Sequence, residues 1–275
     1  MQHIRRRKSN VEGPIWKNYS ATGKTVTRRL SRPAKINTLQ EILHHDYWLT
    51  SDAMDQASYL MAKDHDHIDG FQSVLPFSAI AQGGIVGTPE KKFVQMLNIR
   101  QSHWITVSNV FCNDTQLAVY DSLHNPLDPR TLQALSWLLR PQSDTLEVLQ
   151  PAVQQQTNLS NCGVFAIAFA YALCKGHQPE QCIFNESRMR ALLYKSFTRN
   201  ITFRMNVEDR EAQSNITKTT VPVYCVCRTA HYKELMVQCS LCKEWYHPTC
   251  VTIPRAVIGN DDIWQCSKYE QANST

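Results

Sequence analysis

A single cysteine stands where a polar segment meets an apolar one, in the stretch QQQTNLSNCGVFAIAFAYALC from Gln154 to Cys174. The residues from Cys162 onward are almost all apolar, which predicts a helix that is buried on every side. A helix N-terminus and a neighbouring imidazolium both favour the thiolate, the form in which a cysteine acts as a nucleophile. Cys162 is therefore a candidate nucleophile, although a buried cysteine in an apolar helix is more often an inert part of a core.

The other groups that a nucleophilic cysteine needs occur upstream. Such a cysteine needs a base, a group that orients the base, and donors for the oxyanion that forms on attack. His103 begins the apolar run HWITVSNVF, and Asp121 follows the run QLAVY. If the two runs are strands of one hairpin, His103 and Asp121 can lie side by side. Gln156, six residues before Cys162, offers an amide donor.

These residues occur in an order that is typical of one family: His103-Trp104, Asp121, Gln156 and Cys162-Gly163. The set resembles the ubiquitin-like-protein proteases, that is, the SUMO proteases and their relative, the adenovirus protease, over about residues 46–200. The resemblance implies a papain-like-clan α+β domain with a mixed sheet flanked by helices. It also implies a thiol peptidase or isopeptidase that cleaves after the C-terminal Gly-Gly of a ubiquitin-like protein. The implied roles are nucleophile for Cys162, general base and acid for His103, orienting group for Asp121 and oxyanion donor for Gln156.

Two tryptophans resemble the pair with which that family forms a narrow slot for the Gly-Gly tail. Trp104 matches one of them, and Trp48 in YWLTSDAM resembles the other, although the spacing after it is longer by one residue. The residue before the nucleophile is often Asp in the family and is Asn161 here. The remaining cysteines of this region lack such surroundings and are predicted to be core or surface thiols: Cys112, Cys174 and Cys182.

Periodicity predicts the elements that must position these residues. SDAMDQASYLMAK has apolar residues at helical spacing, with Ser51 or Asp52 as a plausible N-cap. LDPRTLQALSWLLR predicts a second helix, with Asp128 at the cap and Pro129 in the first turn. ESRMRALLYKSF predicts an amphipathic helix that covers the core. Strands are predicted in KFVQMLNI, HWITVSNVF, QLAVYDSL and TLEVLQ. Helices packed on such a mixed sheet define an α+β domain.

Six further cysteines crowd into residues 225–266. Together with one histidine they have the spacing of zinc ligands: Cys225, Cys227, Cys239, Cys242, His247, Cys250 and Cys266. A module of about 55 residues has little core of its own, so bound zinc would supply folding free energy. Reduced cysteines without metal are the alternative interpretation.

The order of these ligands resembles a PHD finger, a module whose two zinc sites interleave. The resemblance assigns four ligands to a first site: Cys225, Cys227, His247 and Cys250. It assigns three ligands to a second site: Cys239, Cys242 and Cys266. The position of the eighth ligand is occupied by Tyr269, so the second site is one ligand short. A water molecule or another side chain, such as His231, would have to complete it.

Many PHD fingers bind histone tails and hold methyl-lysine in an aromatic cage by cation–π attraction. Three residues fall where some of these readers place cage residues: Tyr224, Met236 and Trp245. Tyr224 and Trp245 are equally well explained as packing around the zinc sites.

Positive charge is concentrated at the N-terminal end. Residues 1–38 hold ten Lys and Arg against one acid, Glu12, in a chain whose net charge is +5. Such an arm is typically solvated and disordered, or else serves as a nuclear localisation signal or a nucleic-acid contact. The chain is thus predicted to comprise a basic arm (1–39), a catalytic domain (40–205), a polar linker (206–220) and a zinc finger (221–275).

The sequence contains no run of about 18 apolar residues, so no membrane span is predicted, and no secretory signal follows the basic start. We therefore expect an intracellular, reducing compartment, and the nucleus in particular. Three functions are compatible with the motifs: a thiol protease joined to a chromatin reader, a catalytically silent protease-like fold in a zinc-finger chromatin-binding protein, and a protease encoded by a mobile element. The complete His-Asp-Gln-Cys set favours an active enzyme.

Overall fold

The computed structural model describes residues 39–72, 91–139, 141–205, 207–211, 215–254, 257–258 and 263–266. The predicted basic arm lies outside these residues except for its last position. Its disorder and its nucleic-acid contact therefore stay predictions. Tyr269 also lies outside the described residues.

The helices with described bounds are α1 (Ser51–Asp64), α2 (Pro129–Leu139), α3 (Cys162–Cys174) and α4 (Glu186–Arg199). The strands are β1 (Asp69–Gly70), β2 (Phe93–Ile99), β3 (His103–Ser108), β4 (Gln116–Tyr120), β5 (Thr145–Pro151), β6 (Cys182–Phe184), β7 (Val207–Asp209), β8 (Ile216–Tyr224), β9 (Thr229–Ala230), β10 (Val237–Gln238) and β11 (Trp245–Tyr246). Short 3₁₀ turns lie at Leu39–Leu43 and Pro179–Gln181. Every helix and strand predicted for the catalytic domain is present. None of the described helices is long and apolar enough to cross a bilayer.

The main sheet has seven strands in the order β1-β2-β3-β4-β5-β8-β9. The β1–β2 and β4–β5 pairs are parallel and the other pairs are antiparallel, so the sheet is mixed. One face packs against a core built from α1, α3 and α4. The other face packs against α2. A mixed sheet between helical layers is the α+β architecture that the sequence predicted.

Helix α3 runs through the middle of the first core, and all of its residues are buried. Thr106 of β3 donates a hydrogen bond to the Ala166 carbonyl of α3 at 2.6 Å, which fixes the helix against the sheet. The start of the helix lies especially close to its neighbours, because a Cβ added at Gly163 would stand 3.0 Å from Leu49 Cβ and 3.1 Å from Trp104 Cδ1. The glycine therefore lets the N-terminus of α3 approach Trp104.

The helix caps agree with the sequence at one helix and differ at another. The Thr131 backbone N–H donates to Asp128 Oδ1 at 3.0 Å, as the predicted cap of α2 requires. The predicted cap of α1 was wrong, because Ser51 and Asp52 lie inside the helix. Thr50 is its N-cap, with extended backbone and a hydroxyl that accepts from the Ala53 N–H. Threonine caps nearly as well as serine or aspartate, so three adjacent candidates could not be ranked.

The segment 206–220 differs from the linker that its polarity predicted. Strand β7 pairs with β6, and β8 pairs with β5 along its length, from Thr145 opposite Pro222 to Pro151 opposite Ile216. The backbone supplies the hydrogen bonds of a ladder, so side chains on an exposed face can stay polar. The threonines of β8 also favour extended backbone. Because this segment lacks a hydrophobic pattern, the sequence did not predict that β8 is a strand of the main sheet.

The cysteine-rich module contacts the catalytic domain through β8, β9 and α2. Val221, Val223 and Ala230 belong to the same buried cluster as the apolar face of α2. The Ala230 N–H donates to Ser136 Oγ of α2 at 2.8 Å. Arg228 forms an ion pair with Asp144 at 2.9 Å, before β5 begins. The module is thus packed against the sheet and its covering helix.

Candidate active site and zinc centres

The hairpin of β3 and β4 brings His103 and Asp121 together. The antiparallel register places Thr106 opposite Tyr120, so Asp121, the residue just after β4, lies diagonally from the start of β3. His103 Nε2 and Asp121 Oδ1 are 2.6 Å apart, and both side chains are buried. This contact is the one that the two sequence runs predicted.

The surroundings of His103 favour its protonated form. Burial lowers the pKa of the imidazole, but the hydrogen bonds and charges of Asp121 and Cys162 outweigh that effect and raise the pKa to about 9. The ring is therefore positioned between the carboxylate of Asp121 and the sulfur of Cys162, with a hydrogen bond to each. A sulfur that shares its proton with such a ring is disposed to act as the nucleophile.

Asp121 is held as a carboxylate. Burial alone would raise its pKa, but hydrogen bonding and charge from His103 lower it, helped by two backbone amides. The Leu123 N–H donates to Oδ1 at 2.8 Å and the Asn125 N–H donates to Oδ2 at 3.1 Å. These bonds fix the carboxylate so that it can orient the imidazole.

Cys162 is the first residue of α3 and is 2% exposed. The three other cysteines of the catalytic domain differ from it in their surroundings. Burial raises the pKa of Cys112 to about 11, of Cys174 to about 12 and of Cys182 to about 11. These thiols therefore stay protonated at neutral pH, consistent with the predicted core thiols.

Gln156 is fixed in the loop that precedes α3. Ser122 Oγ donates to Gln156 Oε1 at 2.6 Å, and Gln156 Nε2 donates to the Asn158 carbonyl. The amide group carries two hydrogens, so the bond to Asn158 leaves one for another acceptor. The Asn158 side chain accepts in turn from the backbone N–H groups of Ser160 and Asn161 at 2.9 Å each. The loop that leads to Cys162 is therefore ordered by its own polar side chains.

A buried arginine that sequence reasoning missed joins three segments at this site. Arg190 of α4 donates to the carbonyls of Ile42, at 3.1 Å, and Tyr47, at 2.8 Å. It also donates to Asn161 Oδ1 at 2.6 Å and to the Ser160 carbonyl at 3.3 Å. Burial lowers its pKa. The sequence did contain a signal that Arg190 is buried, because this residue shares the apolar face of the helix with Leu193 and Phe197.

Asn161 links this arginine to a carboxylate. Its Nδ2 donates to Glu186 Oε1 at 2.6 Å, while its Oδ1 accepts from Arg190. The amide at this position thus has a donor role that an aspartate could not fill.

The two candidate slot tryptophans differ in exposure. Trp104 is buried and donates from its indole N–H to the Leu49 carbonyl at 3.0 Å. Trp48, the residue before that carbonyl, is 47% exposed. The hydrogen bond from the Trp104 indole to the Leu49 carbonyl therefore holds the two tryptophan segments together. The indole of Trp48 lies at the surface. Leu159, in the loop before Cys162, is 79% exposed and adds an apolar surface that sequence reasoning did not single out.

The seven predicted zinc ligands form the two predicted groups. Their ligand atoms lie within 4.8 Å of one another in each group: Cys225, Cys227, His247 and Cys250 in the first, and Cys239, Cys242 and Cys266 in the second. In the first group His247 Nδ1 is 3.4 Å from Cys227 Sγ and 3.9 Å from Cys250 Sγ. Tetrahedral zinc places such atoms about 3.5–3.8 Å apart, given Zn–S of about 2.3 Å and Zn–N of about 2.0 Å. The residues present therefore fit structural zinc.

The second group lacks a fourth cysteine or histidine among the described residues. Cys242 Sγ and Cys266 Sγ are 3.7 Å apart, and the Cys266 N–H donates to Cys239 Sγ at 3.3 Å. His231, the alternative ligand considered from the sequence, is absent from this group as far as the described chain extends. It lies instead 3.9 Å from Glu234.

The three candidate cage residues surround the zinc-bearing core to different degrees. Met236 is buried in that core, whereas Tyr224 and Trp245 are partly exposed at its edge. Partly exposed aromatic rings are available to a ligand, and the same rings also pack against the core. Met236 would contact a ligand only if the surface around it opened.

Comparison with known proteins agrees with the C-terminal geometry. Residues 225–268 match the PHD-finger family model. In Danio rerio, the lysine-specific demethylase phf2 is 36% identical over 55 residues, which are 20% of this chain and 5% of that protein. The Arabidopsis thaliana chromatin remodeling protein EBS is 39% identical over 64 residues, 21% of this chain and 27% of that protein. The C-terminal module is thus a PHD-type zinc finger, and the chain spans only a small part of these relatives.

The part of the chain that forms the main sheet and its covering helices is similar in fold to solved SUMO protease domains. A structure of the SUMO protease Ulp1, with its catalytic cysteine oxidized to a sulfenic acid, has a TM-score of 0.47 at 14% identity. The match covers 63% of this chain and 89% of that one. The Chaetomium thermophilum Ulp1-like SUMO protease catalytic domain has a TM-score of 0.38 at 14% identity, over 56% of this chain and 74% of that one.

Proposed function

We propose that this protein is a thiol peptidase or isopeptidase that cleaves after the C-terminal Gly-Gly of a ubiquitin-like protein. The observation that carries this proposal is the buried His103–Asp121 pair, 2.6 Å apart, beside a cysteine at the start of a buried helix. The resemblance in residue order supports the substrate class.

The proposed reaction has two halves, formation of a thioester on Cys162 and hydrolysis of that thioester, and His103 transfers protons in both. His103 accepts the proton of Cys162, and the thiolate attacks the carbonyl carbon of the terminal glycine. The oxyanion is stabilised by the free hydrogen of the Gln156 amide and by backbone N–H groups at the start of α3. His103 then gives its proton to the departing amine, leaving a thioester. Water, deprotonated by His103, attacks the thioester carbonyl, and the bond between carbon and sulfur breaks. His103 returns the proton to the sulfur of Cys162, and the glycine carboxylate is released.

The slot between the tryptophans gives the reaction its selectivity for glycine. Trp104 is packed against Gly163, directly beside the nucleophile, and Trp48 lies at the surface next to the Leu49 carbonyl. A passage between two indoles admits a chain without side chains more readily than one with them. Exposed Leu159 and Trp48 offer apolar contacts for the folded part of the substrate.

The test is a panel of ubiquitin-like proteins that carry a thiol-reactive group at the C-terminus. The wild-type chain should form a covalent adduct with at least one of them, and Cys162→Ala should form none. Cys112→Ser, a change at another buried thiol, is the matched control and should label normally. His103→Ala should cost nearly as much as loss of the nucleophile, because the two act as a unit. Absence of any adduct with wild-type protein would favour the catalytically silent alternative.

We also propose that the PHD finger binds a histone tail and that the protein acts in the nucleus. The supporting observations are the partly exposed Tyr224 and Trp245 and the similarity to proteins named as histone lysine demethylase PHF8 and chromatin remodeling protein EBS. Titration calorimetry with unmodified and trimethylated tail peptides tests this. Trp245→Ala should abolish any preference for the methylated peptide, and equal affinity for both peptides in the wild type would exclude a cage.

A further inference from the structure

One buried hydroxyl group stands among the sulfurs of the second zinc centre. Tyr246 Oη lies 3.6 Å from Cys266 Sγ and 3.7 Å from Cys242 Sγ. Those two sulfurs are themselves 3.7 Å apart. The three atoms therefore form a nearly equilateral triangle, the arrangement of three corners of one tetrahedron.

The size of this triangle is that of a zinc coordination shell. With Zn–S of about 2.3 Å and Zn–O of about 2.0–2.2 Å, a tetrahedral ion sets its sulfur ligands about 3.8 Å apart and a sulfur and an oxygen about 3.5–3.6 Å apart. The measured separations match these values closely. A hydroxyl that only donates a hydrogen bond to one of these sulfurs is the alternative, and the experiments below separate it from a ligand.

We propose that Tyr246 Oη is the fourth ligand of the second zinc centre and takes the place of a missing cysteine. Two independent features support this. The spacing of PHD ligands leaves Tyr269 where the eighth ligand is expected. In addition, the hydrogen bonds that the Tyr246 hydroxyl makes within the described chain are both to sulfur, although buried hydroxyls ordinarily bond to oxygen or nitrogen.

The surroundings hold the phenol in this position. Tyr246 is 3% exposed and belongs to β11, which pairs with β10 so that Val237 stands opposite it. Its ring packs edge-on against Trp264, with centroids 5.4 Å apart. Trp264 lies two residues before Cys266, and its carbonyl accepts from the Ser240 N–H at 2.9 Å, next to Cys239. The ring that carries the hydroxyl is thus fixed by the same segments that carry the three sulfurs.

The test uses the full chain, loaded with zinc, and compares Tyr246→Phe with Tyr269→Phe. Both changes remove one phenolic oxygen, and only the first removes the proposed ligand. Wild type and Tyr269→Phe should each hold two zinc ions per chain. Tyr246→Phe should keep the first ion and release the second to a chromogenic chelator at least about tenfold faster, the lower end of the effect expected when a zinc site loses a supporting group.

A second measurement reports on the phenolic oxygen directly, and its positive signal is read in the wild-type chain. Zinc added to the metal-free wild-type chain should perturb the ultraviolet absorption of one tyrosine out of the ten in the chain. This difference signal should saturate with the second zinc equivalent and be absent in Tyr246→Phe. Cobalt in place of zinc should give the absorption of a tetrahedral ion at both sites in the wild type.

The proposal is independent of the protease activity and has clear contrary results. Equal zinc content and equal release from wild type and Tyr246→Phe would overturn it, because water or another residue would then complete the site. A wild-type chain that binds only one zinc ion would overturn it as well. So would faster release from Tyr246→Phe without any tyrosine difference signal in the wild type, since the hydroxyl would then act only as a hydrogen-bond donor to sulfur.

Discussion

His103 and Asp121 form a pair whose contributions to stability are lost at opposite ends of the pH range. The raised pKa of His103, about 9 against an ordinary 6.5, means that its protonated form stabilises the fold fully below about pH 6.5. This contribution is lost as the pH rises through about 9. The lowered pKa of Asp121 stabilises the fold above the ordinary range of aspartate, and that contribution is lost on acidification. The site is therefore best ordered between these limits.

The same pair predicts the alkaline limit of catalysis. In the proposed reaction the leaving amine takes a proton from His103, so hydrolysis of an amide-linked substrate should fall as the pH rises through about 9. Asp121→Asn removes the carboxylate that favours the imidazolium, so the midpoint should move towards 6.5, the ordinary value of histidine. Initial rates from pH 6 to 10 would measure this, with circular dichroism to verify folding at each pH. An unchanged alkaline midpoint in Asp121→Asn would refute the assigned role of the pair.

Gln156 allows a second prediction at a single side chain. If its free amide hydrogen stabilises the oxyanion, Gln156→Ala should slow turnover by about 10²-fold, the usual scale for one donor. Alkylation of Cys162 by iodoacetamide, which forms no oxyanion, should change little. Ser122→Ala should have a smaller effect of the same kind, because Ser122 only orients the amide. Equal losses in turnover and alkylation would instead indicate a disturbed nucleophile.

The contact between His103 and Asp121 was predictable from the sequence, because alternating patterns predicted the hairpin that joins them. The catalytic roles of Cys162, His103 and Asp121 rest on a resemblance in residue order and stay predictions. The groups that hold them were not predictable in the same way. Arg190 donates hydrogen bonds to the backbone carbonyls of residues 42 and 47. Because every residue has a backbone carbonyl, the sequence does not show which of them an arginine will bind.

At the scale of elements, Arg190 connects α4 to the Trp48 segment and to the start of α3. Arg190→Met should lower the free energy of unfolding by about 2–4 kcal/mol, because it leaves buried carbonyl groups without donors. It should also slow alkylation of Cys162, since Asn161 and Ser160 lose their support. Arg188→Met removes an exposed arginine of the same helix and should change neither quantity. Urea denaturation and mass spectrometry of the alkylated peptide measure the two effects.

An Arg190→Met chain as stable as Arg188→Met would show that the hydrogen bonds of the buried guanidinium contribute no net stability. Loss of stability without any change in Cys162 alkylation would show that Arg190 supports the fold but does not position the nucleophile. The two readouts therefore separate the structural role of the arginine from its role at the active site.

At the scale of the whole molecule, the two parts of the chain share a sheet and a core. The predicted boundary at residue 205 was based on the hydrophobicity of side chains. That property does not show which backbone segments pair by hydrogen bonds. Strand β8 pairs with β5 over residues 216–222, and Val221 and Val223 pack with Leu146 and Val148 in one cluster. The catalytic sheet is therefore continuous with the strand that leads into the zinc finger. We infer that removal of the finger at different points will have unequal effects.

This continuity predicts the behaviour of shortened chains. A chain that ends at residue 205 should lose β8, one of the two partners of β5. It should then expose the unpaired backbone groups on that edge of β5 and uncover Leu146 and Val148, so it should melt at a lower temperature and aggregate. A chain that ends at residue 224 keeps β8 and both valines and lacks only the zinc-bearing part. We expect its melting temperature to exceed that of the shorter chain by at least about 5 °C, because one kcal/mol corresponds to about 2–4 °C at this size. Labelling of Cys162 provides the accompanying functional measure.

Equal melting temperatures for the two chains would mean that β8 belongs to the finger alone. The boundary predicted from the sequence at residue 205 would then mark the true edge of the domain that holds Cys162.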